Sequence, residues 1–173
     1  FPFMLCWANE NWSRNWDGKF RNILIEQHYS EEDDIEHMRY LCSKVFQDTR
    51  YIRIDGKPVF AIYRSNFFPN MKHTIDVWRK VAKEEYGIEL YLIRVENEPD
   101  FGPKYLDCGF DSAMDFQPLL MGEFNAWWKN LPFRIMNHLF KGKYQWFNKH
   151  FSYASYVKYR IKKPLADYKC FPC

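Results

Sequence analysis

Short apolar runs recur along the chain, and polar residues follow each of them. The runs cover residues 3–7, 59–63, 90–95 and 110–116. The first three are largely continuous in apolar residues, without the polar alternation of a half-exposed strand, and the fourth is a shorter strand candidate. We therefore predict strands buried on both faces, as parallel sheets have.

Helical periodicity separates these runs. Ser30 has the features of an N-cap, four acidic residues follow it, and apolar residues at helical spacing continue to Val45. A second helix is predicted to begin at Thr74 and to end at Gly87, because glycine readily takes the left-handed conformation of a helix C-terminus. A further helix is predicted over residues 153–161.

The connecting segments have weaker patterns. We predict a loop over residues 13–21, a short strand at 23–25 and a tight turn at 55–58, where the sequence is D-G-K-P. His37 is predicted on the solvated side of its helix. Residues 119–152 are rich in aromatic residues and show no clean helical face, so they are predicted to form an insertion of the lid kind.

The alternation of strands and helices predicts an α/β fold with parallel strands. An open doubly wound sheet and a (β/α)8 barrel both fit this order. No glycine-rich phosphate loop follows any predicted strand, which disfavours a nucleotide-binding sheet. We predict a partial (β/α)8 TIM-like barrel, because 173 residues fall short of the roughly 250 that are typical of one. Both ends of the chain run through apolar strand segments, so we expect a single-domain fragment over residues 1–173, truncated at both ends.

Polar side chains follow the predicted strands, and the carboxyl ends of parallel strands meet at one edge of a sheet. We therefore predict a polar binding site there. Its candidate residues are Trp7, Asn9, Glu10, Asn11, Trp12, Tyr63, Arg64, Glu96 and Asp115. Carboxylates at such a site could act on a glycosidic bond if a pair had the required separation. Arg64 either holds an anionic group or pairs with one of these carboxylates.

Composition favours a carbohydrate ligand. Aromatic residues make up 20% of the chain, and aromatic planes bury the C–H faces of sugar rings. The net charge is only +3, from 25 basic and 22 acidic residues, so we read the late basic residues as a solvated helix face and predict no nucleic-acid partner. No apolar run is long enough to span a membrane. Five cysteines at wide spacing favour a reducing, cytoplasmic setting. The histidine spacing does not support a metal site, and we predict no cofactor.

Several segments of this sequence resemble the WbsX glycosyltransferase family, whose members are glycoside hydrolase family 99-like domains of bacterial surface-polysaccharide gene clusters. The resemblance rests on W-A-N-E-N-W at residues 7–12 and D-G-K-P-V-F at 55–60, with support from 25–27 and 109–111. It implies a (β/α)8 barrel that acts on an oligosaccharide or a sugar donor, in lipopolysaccharide O-antigen or surface-polysaccharide metabolism. It also implies that the chain covers roughly the third to the seventh barrel strand.

One departure from the family pattern limits this inference. Family members carry N-E-W-x-E-G on the last strand, with glutamates that serve catalysis in related mannosidases, and these 173 residues contain no such motif. We therefore assign no catalytic residue and expect Glu10, Glu96 and Asp115 to line the substrate. The chain alone is predicted to be inactive. Two functions stay open: part of a glycosyltransferase or glycosidase, or a glycan-binding module without catalysis.

Overall fold

The computed structural model describes residues 1–14, 19–96, 102–116 and 153–172. The chain divides into two compact units, one formed by 1–116 with 168–173 and the other by 117–167. In chain order the described elements are β1 (Leu5–Trp7), β2 (Trp12–Arg14), β3 (Lys19–Ile25), α1 (Glu31–Tyr40), a π-helical turn (Leu41–Val45), β4 (Arg53–Ile54), β5 (Lys57–Ile62), a 3-10 turn (Ser65–Phe67), α2 (Met71–Tyr86), β6 (Tyr91–Glu96), α3 (Tyr105–Cys108), β7 (Ser112–Asp115), α4 (Tyr153–Lys162) and β8 (Cys170–Pro172).

The larger unit is built on a mainly parallel sheet. Its strands pair in the order β1-β5-β6-β7-β8, and each of these neighbours is parallel. The short strand β4 joins antiparallel to β5. This mixed α/β architecture confirms the predicted fold class.

The turn predicted at residues 55–58 is confirmed for its first two residues, whereas Lys57 and Pro58 already begin β5. Asp55 and Gly56 join β4 to β5 and have φ angles of 50° and 77°. Two positive φ angles in a two-residue loop match the twist of the flanking strands, which is why a D-G pair is favoured there.

The first helix begins as predicted, and the second begins one turn earlier than predicted. Ser30 caps α1, and its hydroxyl accepts from the Asp33 N–H at 3.1 Å. Asn70 caps α2 through its Oδ1, so that helix starts at Met71 and the predicted start at Thr74 is wrong. The misleading feature is Thr74 itself, because its hydroxyl is buried and donates to the Asp34 carboxylate at 2.9 Å.

The two faces of the sheet carry separate apolar clusters. One face packs against the helices α1 and α2, and its largest cluster includes Phe60, Ile62, Leu92, Met38 and Trp78. The opposite face carries a second cluster formed by Val59, Ala61, Tyr91, Ile93 and Val95. Strands β5 and β6 therefore have alternate residues in two apolar environments, as their apolar runs predicted.

The prediction of full burial is wrong for the first strand. Leu5 is 38% exposed, and Cys6 is exposed as well. In the described part of the chain β1 pairs on one side only, with β5. An apolar run indicates that a strand can be buried. It does not indicate how many neighbouring strands cover it.

The loop predicted over residues 13–21 is also wrong in part. Trp12–Arg14 and Lys19–Ile25 pair as an antiparallel hairpin, with register shifts between them. The sequence did not predict this hairpin because these residues lack the regular alternation of apolar and polar side chains that indicates paired strands. The predicted insertion over 119–152 lies outside the described residues.

The second unit contributes one described helix, α4, and its position confirms the helix predicted over residues 153–161. Among the helices that the structure describes, none is long and apolar enough to cross a membrane.

Candidate functional site

Strands β1 and β5 end side by side and begin the candidate site. The Tyr63 N–H donates to the Trp7 carbonyl at 3.0 Å, which continues the parallel pairing past the last strand residue. The chain segments that follow these two strands therefore leave the sheet at the same edge, as we predicted for the strand ends.

Asn9 joins these two segments. Its side-chain Nδ2 donates to the Arg64 carbonyl at 2.8 Å and to the Tyr29 hydroxyl at 3.0 Å. Its Oδ1 accepts from the Arg64 N–H at 2.8 Å. Asn9 is fully buried, so this amide holds the floor of the site and its polar atoms are occupied by protein.

Glu10 and Arg64 form an ion pair next to Asn9. The Arg64 Nε donates to Glu10 Oε1 at 2.8 Å, with the two side chains 23% and 37% exposed, respectively. The guanidinium carbon also lies 4.9 Å from the Tyr63 ring centroid and 5.8 Å from that of Phe67. Of the two roles predicted for Arg64, the structure shows the pairing with a carboxylate.

A cavity of about 570 Å³ opens above this floor. Its lining combines one carboxylate, four amides and two aromatic rings. The lining residues are Asn9, Glu10, Asn11, Gln27, Tyr29, Asn66 and Phe67. We call this cavity the amide pocket.

Two further contacts shape the wall of the amide pocket. The Asn11 Oδ1 accepts from the Gln27 N–H at 2.7 Å, which ties together the two ends of the β2–β3 hairpin. The Tyr29 hydroxyl donates to the Asn9 carbonyl at 2.8 Å. Burial raises the pKa of Tyr29 above its ordinary value of 10.0, so the phenol stays protonated and keeps this bond at neutral pH.

Glu96 has a different environment. It is only 5% exposed, and its Oε1 accepts from the Tyr168 hydroxyl at 2.6 Å, the Gly102 N–H at 3.0 Å and the Arg94 guanidinium at 3.3 Å. Burial raises the pKa of Tyr168, and the hydrogen bond to Glu96 raises it further. We call these residues the Glu96 cluster.

The sheet register fixes the face of the sheet on which Glu96 lies. Ile62 pairs with Arg94, and both lie on the face that the helices cover. Glu96 is two residues further along the strand, so its side chain points to the same face. Asp115 pairs with Glu96 across β6 and β7 and is half-buried.

The two predicted tryptophans also lie away from the pocket lining. The Trp7 ring is half-buried, with centroid distances of 4.5 Å to His37 and 5.6 Å to Phe68. His37 therefore packs among aromatic rings, and its predicted solvated position is wrong. Trp12 is 63% exposed and pairs with Ile25 in the hairpin.

The structure thus brings together part of the predicted site. Asn9, Glu10 and Asn11 line the amide pocket, and Tyr63 and Arg64 support it. Trp7, Trp12, Glu96 and Asp115 are not among the residues that line it.

Four lining residues were not predicted, namely Gln27, Tyr29, Asn66 and Phe67. Asn66 and Phe67 come two and three residues after Arg64, so a longer window beyond that strand would have included them. Gln27 ends the I-E-Q segment of the family resemblance. We find no sequence signal for Tyr29, whose place depends on its contact with Asn9. In the ranges that the structure describes, no group of three His, Cys, Asp or Glu side chains could hold a metal ion.

Comparison with known proteins gives one family. A model of the family described as "Glycosyltransferase WbsX" matches residues 1–173. Two curated relatives, each named "Uncharacterized protein WxcX" and found in two strains of Xanthomonas campestris pv. campestris, are 29% and 28% identical over 171 residues. These alignments cover 99% of this chain and 23% of each relative, so the chain spans about a quarter of their length. No solved structure matches it significantly. Because the family model covers the whole sequence, the chain belongs to the WbsX glycosyltransferase family.

Proposed function

We propose that this chain forms part of a carbohydrate-active protein and that a glycan binds in the amide pocket. The observation that carries the proposal is the lining, in which Asn11, Gln27 and Asn66 lie beside the half-exposed ring of Phe67. Amides both donate and accept hydrogen bonds, as sugar hydroxyls do. An aromatic ring covers the apolar face of a sugar. The family match supports a polysaccharide-related role.

We further propose that the larger unit belongs to a (β/α)8 barrel. The parallel strands add to the sheet in one direction, from β1 through β5, β6 and β7 to β8. A doubly wound sheet reverses its strand order at a switch point, whereas a barrel adds each strand beside the previous one. The described order therefore supports the barrel over the open sheet.

The finer biological setting rests on the family. We propose that the protein acts in lipopolysaccharide O-antigen or surface-polysaccharide metabolism and that residues 1–173 belong to one glycoside hydrolase family 99-like domain. The cytoplasmic setting inferred from the cysteines stays a prediction.

A second candidate is a glycan-binding module without catalysis. The observation that favours it is the single carboxylate in the described lining of the amide pocket, because glycoside hydrolysis uses a pair of carboxylates. The two candidates differ in turnover: both bind a glycan, but only the enzyme converts one. The full-length natural protein should therefore be assayed for both binding and release or transfer of sugar.

Phe67 gives the sharpest test of the binding site. We expect the full-length protein to bind members of an array of bacterial O-antigen and capsular oligosaccharides. Phe67→Ala should weaken that binding about tenfold, because loss of the stacked ring costs on the order of 1.4 kcal/mol. Titration calorimetry with the best array member measures the change.

The matched control is Tyr40→Ala. Tyr40 is 60% exposed on α1 and does not line the amide pocket, so its removal should leave glycan affinity unchanged. If no array member binds the wild-type protein, or if both variants bind as well as it does, the proposal is wrong.

A further inference from the structure

The charged groups of the amide pocket balance each other. Glu10 is the one acid in the described lining, and its Oε1 accepts from Arg64 Nε at 2.8 Å. The same guanidinium lies against the rings of Tyr63 and Phe67. The positive charge of Arg64 is thus already matched by a carboxylate that belongs to the pocket.

An anionic ligand would meet an unfavourable arrangement here. A uronate or a phosphate beside Arg64 would lie close to the Glu10 carboxylate, and two like charges at such a distance repel each other. Binding the anion through Arg64 would also require it to compete with an existing hydrogen-bonded pair. The charge distribution therefore selects against acidic ligands.

The remaining polar lining suits a neutral ligand. Asn11 and Asn66 are exposed and Gln27 is half-buried, so these amides provide both donors and acceptors at the pocket surface. Hydroxyl groups can use both kinds of partner, whereas a fully ionised phosphate or carboxylate can only accept. The Phe67 ring, which is 49% exposed, adds an apolar surface without charge.

From these contacts we propose that the amide pocket selects an uncharged sugar ring of a glycan and excludes acidic sugars and the phosphate groups of a sugar donor. This inference rests on the proposed function and names the substrate class of the same site. It implies that a sugar donor, if the protein uses one, places its diphosphate elsewhere.

Matched ligand pairs test this selectivity. The probes are methyl glycosides of glucose, mannose and galactose, each compared with the uronate that differs only at carbon 6. Titration with the full-length protein should give at least about tenfold tighter binding of the neutral partner in whichever pair binds. Equal or tighter binding of the uronate would overturn the inference and leave glycan binding intact. No binding of any of these six probes or of the oligosaccharide array would overturn the proposed function and this inference with it.

Glu10→Gln provides a second arm. The substitution keeps the size of the side chain and makes the pocket one unit more positive, so the preference for the neutral ligand should narrow to about threefold or less. Glu89→Gln makes the same change in net charge at a carboxylate that pairs with Lys57 and does not line the pocket. Its selectivity should equal that of the wild type. Equal selectivity of all three proteins would show that the Glu10 charge does not exclude anions.

Discussion

Glu10 and Glu96 follow the same rule in sequence and have opposite environments in the structure. Each carboxylate comes at the end of a strand of one parallel sheet. Glu10 is 37% exposed and faces the amide pocket, whereas the Glu96 side chain is 6% exposed and its Oε1 accepts from three donors. The difference arises because Glu10 lies beyond β1, where the chain has left the sheet, while Glu96 is still within β6 and has its face fixed by register. An acid at a strand end is thus available to a ligand only where the strand has already ended.

The comparison predicts its largest effect at Glu96. Glu96→Gln removes the negative charge beside the Arg94 guanidinium, which is only 2% exposed. Breaking a buried ion pair by changing one partner costs about 3 kcal/mol or more. Urea unfolding should therefore show a decrease of about this size in the free energy of unfolding.

Glu10→Gln is the matched substitution for this measurement. Its ion pair with Arg64 is partly exposed, and such pairs contribute about 1 kcal/mol or less. If Glu96→Gln and Glu10→Gln lose equal stability, the distinction between the buried carboxylate of Glu96 and the partly exposed carboxylate of Glu10 is wrong.

Substitution of Asn9 should have an intermediate effect on stability. Asn9 is buried, and it also lines the amide pocket. Asn9→Ala leaves the partly buried Arg64 N–H and carbonyl without their side-chain partners, and an unsatisfied buried group costs about 1–3 kcal/mol. We expect a loss of about 2 kcal/mol in unfolding free energy, together with weaker glycan binding. Urea unfolding and calorimetric titration measure the two effects.

Asn9→Asp tests separately the acceptor and the donor of the Asn9 side-chain amide. The aspartate retains an acceptor for the Arg64 N–H and loses the donor to the Arg64 carbonyl and the Tyr29 hydroxyl. Because the new carboxylate would be buried and would face the Arg64 carbonyl oxygen, Asn9→Asp should be no more stable than Asn9→Ala. A wild-type stability for Asn9→Ala would show that Asn9 does not hold the floor.

Local sequence rules succeeded where the deciding contacts are local. The Ser30 cap, the Asp55-Gly56 turn and the end of α2 at Gly87 each depend on residues that are close in sequence. The parallel direction of the strands likewise follows from the alternation of apolar runs with helices. These features predicted the fold class correctly.

The same rules failed where contacts with distant segments determine the environment of a side chain. Glu96 was expected beside the pocket, but its environment depends on Tyr168, which is 72 positions away. Tyr29 was missed because its role follows from a contact with Asn9, 20 positions earlier. His37 was placed on a solvated face because helical spacing does not show that the Trp7 ring covers it.

Substitution of His37 should change the stability least. The direction in which stability changes with pH shows whether the His37 imidazole is buried among aromatic rings or open to solvent. Burial lowers the pKa of His37 from 6.5, although Asp33 acts in the opposite direction. The unfolded chain then binds a proton at a higher pH than the folded chain does, so the folded state loses stability as the pH falls below about 6.5. His37→Leu should flatten this part of the stability profile, measured as the urea midpoint between about pH 5 and 7.5. His28→Leu removes an imidazole that is 80% exposed and serves as the control. A steeper decrease for His37→Leu than for the wild type would mean that the folded protein stabilises the imidazolium, and the closed environment assigned to His37 would be wrong.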